Sequence, residues 1–196
     1  QVSSSRDNLE EDYRGYESTG SELTFSDYYN NYIGIRFQNI NIPQGATITE
    51  AYLEFTAYDT YRYSGASMQI QAVANDDADD FYPNYRHQLR DLDKTSGVTW
   101  SMPSFRRYSD YTSPDLSSIV SDIVNRPGWE PGNAMAFVFS DFTSYRGVYS
   151  YNDVPSAAPR LVVKFNGNAT PGASSTVREL LISKVDELSA SGYTPI

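Results

Sequence analysis

Apolar and polar residues alternate with period two along much of the first 165 positions, and the clearest case is the stretch 32–59. There Ile33, Ile35 and Phe37 alternate with Gly34, Arg36 and Gln38, and Ala51, Leu53, Phe55 and Ala57 alternate with Tyr52, Glu54, Thr56 and Tyr58. Such spacing belongs to strands with one buried face and one wet face. Between the two runs Pro43 fixes φ and Gly45 tolerates a positive φ, so the pattern predicts a turn and an antiparallel β-hairpin.

The same alternation recurs further along the chain. Residues 21–25 read as a short strand, and 66–74 place Met68, Ile70, Ala72 and Ala74 on one face. A short strand is expected at 98–101 around Trp100. Another at 133–140 turns Met135, Phe137 and Phe139 inward, and 159–165 does the same with Leu161, Val163 and Phe165. A weaker strand is expected at 145–151, and a helical turn around Leu89 and Leu92. The period changes to 3.6 at Leu116, Ile119, Val120, Ile123 and Val124. Ser113, Pro114 and Asp115 stand before them as N-cap, first helical residue and helix-dipole acid, and Arg126 and Pro127 end the helix.

Strands with a single inserted helix and no βαβ alternation predict an all-β fold, an antiparallel jelly-roll β-sandwich. A sandwich or barrel of another topology is the rival. This domain is expected to span 1–165. Residues 166–175, NGNATPGASS, are small and polar and read as a linker. Beyond it, in 176–196, Val177, Leu180, Leu181, Val185 and Leu188 form an apolar stripe at helical spacing, with Gly192 placed to stop the helix. An amphipathic C-terminal helix needs a surface for that stripe, either the parent domain or a neighbouring molecule.

Composition narrows the function classes. The chain has 196 residues, enough for one substantial domain, and 25 acidic against 15 basic residues give a net charge of −10. That charge repels phosphate backbones and anionic lipid, so neither nucleic acid nor membrane insertion is expected. Cysteine is absent, which removes disulfides, thiolate metal sites and thiol catalysis. No run of about 18 apolar residues is present to span a bilayer. A start at Gln1 is expected of a mature exported product or of a fragment, and the 17 tyrosines, many of them in pairs or triplets inside polar loops, suit a secreted, cell-surface protein.

The sharpest local chemistry is the run 75–80, NDDADD, directly after a strand. Clustered carboxylates repel one another, and calcium with its six to eight oxygen ligands holds them together; a solvated acidic loop is the alternative. Asp76, Asp77 and Asp79 are the candidate ligands there, with Asp7, Glu10, Glu11 and Asp12 as a second acidic group and Asp153 as a late acid before the last strand. The spacing is not that of an EF-hand. The single His87 lies among charges and has no cysteine or second histidine to work with, so no enzyme is expected. Tyr58, Tyr61 and Tyr63, or Tyr108 and Tyr111, offer rings on which sugars or proteins stack. Asn168 opens an Asn-Ala-Thr sequon, a glycosylation acceptor.

Three blocks, IRFQNINIPQGATITEAYLEFTA, VNRPGWEPGNAMAFVFS and YNDVPSAAPRLVVKF, together resemble a β-rich domain of large bacterial surface proteins, including type IV pilus tip adhesins. The resemblance runs over roughly 6–165 and implies a secreted, non-catalytic jelly-roll module with acids near its N-terminus and last strand at one edge. The tail TVRELLISKVDELSASGYTPI is similar to a von Willebrand factor A segment of such adhesins. Here Gly192, Tyr193, Thr194 and Pro195 stand where that family has Gly-Gly-Thr-Pro, and its Asp-x-Ser-x-Ser motif is absent from this chain. The combined expectation is an extracellular structural or adhesive protein, a calcium-stabilised subunit that self-associates head to tail into a fibre or pilus-like structure. A non-catalytic carbohydrate-binding module is the alternative.

Overall fold

A computed structural model of the chain describes residues 1–15, 17–28, 31–62, 65–81, 88–167 and 177–181. Its strands are β1 (Asn8–Glu11), β2 (Glu17–Ser18), β3 (Glu22–Phe25), β4 (Tyr32–Phe37), β5 (Thr47–Thr56), β6 (Ala66–Ala72), β7 (Val98–Met102), β8 (Asp110–Thr112), β9 (Met135–Ser140), β10 (Arg146–Tyr149), β11 (Arg160–Asn166) and β12 (Val177–Leu181). A single α-helix, α1 (Ser117–Val124), interrupts them among the described residues. The protein is mostly β with antiparallel pairing throughout. No described helix is long and apolar enough to cross a membrane.

One sheet has the order β2-β1-β4-β9-β6-β7 and a second the order β12-β11-β5-β8. The pair β10-β3 continues the second layer, because Ala57 bridges Val148 and the Tyr58 N–H donates to the Gly147 carbonyl at the far end of β5. The inward sets foreseen from alternation meet between these layers. Phe55 lies 5.5 Å from Trp100 and 5.9 Å from Phe139, while Phe25 lies 5.7 Å from Phe139 and 5.6 Å from Phe142. Each such ring removed from water contributes about 1.5–3 kcal/mol. The helix packs Ile119, Val120, Ile123 and Val124 into this core, resting on β5 and β6.

The six-stranded sheet is covered on its other face too. Leu9, Ala136 and Val138 there meet Val73, Ala78, Phe81 and Leu89 in a second apolar cluster. A Cβ at Gly34 would stand 2.6 Å from Leu89 and 2.7 Å from the Phe81 ring, so close approach requires glycine at that point in β4. Polar ties fasten the cover. Arg36 Nε donates to the Ala78 carbonyl at 2.6 Å, Phe81 N–H to the Arg6 carbonyl at 2.9 Å, and Leu89 N–H to Glu11 Oε2 at 2.6 Å.

Three expectations are corrected. The runs at 32–37 and 47–56 are strands but not a hairpin: β4 pairs with β1 and β9, and β5 with β11 and β8. The connection 38–46 buries Ile40, Ile42 and Ala46 as it crosses from one layer to the other, whereas a hairpin loop needs only a few exposed residues. The helix begins at Ser117 rather than Pro114, and Ser113 is no N-cap: its Oγ accepts the Leu53 N–H of β5, while Asp115 Oδ1 accepts the Ser117 N–H. Residues 8–11 and 17–18 add two strands to those expected. Finally, Val177–Leu181 is not helical; it pairs antiparallel with β11, Val177 opposite Asn166 and Leu181 opposite Val162. Val177, Leu180 and Leu181 follow a strand ladder there because β11 has a free edge to complete. Val185, Leu188, Asn168, His87 and Tyr63 lie outside the described residues.

Candidate binding surface

Three segments are laced together at the β10 end of β5. The Tyr61 and Phe105 backbones exchange hydrogen bonds at 2.8 and 2.9 Å. Ala57 N–H donates to the Ser109 carbonyl and Tyr108 N–H to the Ala57 carbonyl, both at 2.9 Å. Arg107 N–H adds a bond to Thr60 Oγ1 at 3.1 Å. With Tyr58 tied to Gly147, the loops 57–61 and 105–109 and strand β10 form one rigid platform.

Aromatic side chains cover it. Tyr108 is 67% exposed, stacks at 14° to Tyr149 with centroids 6.2 Å apart, and carries the Arg107 guanidinium 4.7 Å above its ring. Tyr58 meets Tyr149 edge-on at 5.1 Å, and Arg107 also lies 5.8 Å over Tyr58. A hydrogen bond with the Tyr149 hydroxyl holds the Arg107 guanidinium above its usual pKa, so it stays a cation. Tyr108 adopts φ 65°, a left-handed conformation that projects its ring from the turn.

A pillar of aromatic and cationic groups supports this surface from beneath. Arg146, 2% exposed, donates to the Pro103 carbonyl through Nε and Nη2 and to the Tyr145 carbonyl through Nη1. Its guanidinium lies 5.6 Å over Tyr61 and 5.5 Å over Phe105, and burial lowers its pKa. Tyr61 packs 5.1 Å from Tyr145, and Phe105 stacks on Tyr111 at 4.1 Å. Burial pushes the Tyr61 phenol up, with Tyr145, Glu22 and Asp59 adding to it, so the ring presents a neutral hydroxyl.

The expected aromatic platforms are thus partly joined: Tyr58 and Tyr108 reach one surface, while Tyr61 and Tyr111 serve as supports. Tyr149 and Arg107 were not foreseen. Tyr149 sits in a strand of weak alternation, and the bridge between β10 and the end of β5 brings it to Tyr108; Arg107 precedes Tyr108 in the chain but carried no signal of its own.

The acidic residues are distributed. Asp7 is buried, with Arg36 Nη1 at 2.8 Å and Gln38 Nε2 at 2.7 Å. Glu11 accepts the Leu89 N–H on the outer face of β1 and Glu10 the Thr24 N–H on its inner face; Asp12 holds Arg14. Asp76 pairs with Arg126 at 2.5 Å, and Asp77 accepts the Ala134 N–H at 2.7 Å. Asp79 and Asp153 are exposed. Among the described residues no three Asp, Glu, His or Cys side chains gather as a metal-holding group. No protein-family model matches the chain, and no curated protein matches it either.

Proposed function

We propose that this chain is an exported, non-catalytic adhesive module of jelly-roll type that engages glycans through the surface of Tyr58, Tyr108 and Arg107, with the buried Tyr149 behind them. The observation that carries this reading is Tyr108, a large ring held out to solvent in a left-handed turn and backed by a second ring and a fixed cation. Sugar rings present C–H faces to aromatic rings and hydroxyls to neighbouring donors and acceptors, and Arg107, Thr60 and Asp59 supply those at the rim. Rigid loops lower the ordering cost of such a weak, shallow contact. A glycan array probed with the full chain and with Tyr108→Asn tests it. Binding lost in the variant supports the reading; a silent array, or one that the substitution leaves unchanged, overturns it.

A second reading rests on β12. A strand that follows 167–176 and completes the β11 edge is a means of self-association if it completes the edge of another copy instead, and head-to-tail exchange of this kind makes filaments. Calcium held by the acidic runs would then act as a staple. Electron microscopy with and without chelator tests both parts: fibres that fray on chelation support them, and monodisperse particles in both samples remove the fibre reading.

A further inference from the structure

A cavity of about 240 Å³ opens at a different place, between the turn after β1, the start of β4, the outer cover and the loop after β9. It is lined by Tyr13, Asn31, Tyr32, Arg90, Asp141 and Phe142. We infer that it is a second binding pocket, for a single neutral sugar residue. The ligand class rests on the glycan reading above; the pocket is independent of that surface.

The lining gives both halves of sugar recognition. Tyr13, 48% exposed, and Tyr32 provide ring faces, with Phe142 buried at the base. Arg90 is fixed twice, by donating from Nη2 to the Tyr13 carbonyl at 3.0 Å and by lying 5.6 Å over the Tyr32 ring. It therefore presents donors in a set direction. Asn31 Oδ1 is buried and, among the described residues, has no hydrogen-bond partner. A buried acceptor left unmet costs about 1–3 kcal/mol, which a donating ligand hydroxyl restores. Asp141, exposed in a left-handed turn at φ 54°, adds a carboxylate acceptor.

Charge selects among ligands. Asp141 and the net charge of −10 oppose an anion, and Arg90 opposes an ammonium group. A hydroxyl both donates and accepts, so a neutral polyol alone satisfies Asn31, Asp141 and Arg90 together. The volume lies below the roughly 300–1,000 Å³ of pockets for drug-sized ligands, so one ring fits and an oligosaccharide does not.

Saturation-transfer difference NMR on the full chain decides the matter, with methyl glucoside, methyl galactoside and N-acetylglucosamine as neutral probes, and glucuronate and glucosamine as charged ones. At least one neutral probe is expected to show transfer, stronger than either charged probe. In a Tyr108→Asn background, which removes the share of the exposed surface, Asn31→Leu and Asp141→Asn are each expected to weaken the remaining transfer at least tenfold. Asn tolerates the left-handed turn at 141, so Asp141→Asn decides if Asn31→Leu fails to fold by circular dichroism. Absence of transfer from all neutral probes, or equal transfer in the pocket variants, overturns the pocket. Transfer lost only in Tyr108→Asn overturns it while leaving the exposed surface as the glycan site; a silent array with pocket transfer intact does the reverse.

Discussion

The two faces of the six-stranded sheet are both covered, but by different physics. The inner face meets the second layer through Phe25, Phe55, Trp100 and Phe139, rings in mutual contact. The outer face meets residues 73–81 and 88–92, fastened by Arg36, Asp7 and Glu11 around Phe81 and Leu89. Apolar contact is non-directional and tolerates repacking, whereas buried polar ties are unforgiving when one partner is lost. The inner face therefore sets how stable the fold is, and the outer face sets where residues 75–81 and 88–92 lie.

The largest expected effect tests the inner face. Phe139→Ala removes a ring that touches both Phe25 and Phe55 and is expected to cost about 3–5 kcal/mol, read from the urea midpoint. Arg36→Met probes the outer face by leaving Asp7 buried with only Gln38 and neutral neighbours; a loss of about 3 kcal/mol is expected. A cost no greater than that of a surface substitution would mean that the cover is not part of the cooperative fold.

Gly34→Ala sharpens the same point from the packing side. The added methyl meets Phe81 and Leu89 below contact distance, so about 2–3 kcal/mol is expected, with faster hydrogen exchange across 78–81 and 88–92 than elsewhere.

Glu10 supplies a pH test at the seam between β1 and β3. Burial pushes its carboxyl from 4.5 up to about 7, the Thr24 N–H works against that shift, and Glu22 adds to it. The folded chain thus holds the proton more tightly than the unfolded one. The contribution is complete below about 4.5 and is lost as pH rises through about 7, by on the order of 2 kcal/mol. Melting temperatures measured across this window should fall with rising pH, and Glu10→Gln should flatten the decline. The smallest effect belongs to the exposed surface: Tyr108→Asn should change stability by no more than about 0.5 kcal/mol while abolishing array binding.

The inner face was legible because alternation encodes it directly: Ile33, Ile35, Phe37, Met135, Phe137, Phe139, Leu161, Val163 and Phe165 are all buried as their spacing requires. Alternation identifies a strand and its face but not its partner, and so β4 and β5 were wrongly joined. The apolar Ile40, Ile42 and Ala46 between them held the missing signal, since a turn has no use for three aliphatic residues. The outer face was harder to read because the charged side chains it buries are Asp7 and Glu11, residues that read as solvated until Arg36, Gln38 and the Leu89 N–H are brought to them. Of the candidate surface, Tyr58 and Tyr108 were visible as tyrosines in polar loops. Their companion Tyr149 arrives by a pairing that joins residues about ninety positions apart.

Tyr108 also carries a cost that selection on folding alone would remove. A left-handed backbone at a bulky residue is disfavoured by about 1 kcal/mol or more relative to glycine, and asparagine relieves part of it. A screen for thermal resistance would therefore favour Asn or Gly at this turn and discard the ring. Improvement of the fold and retention of the surface pull in opposite directions at this one position, and variants ranked by melting temperature need a binding assay beside them.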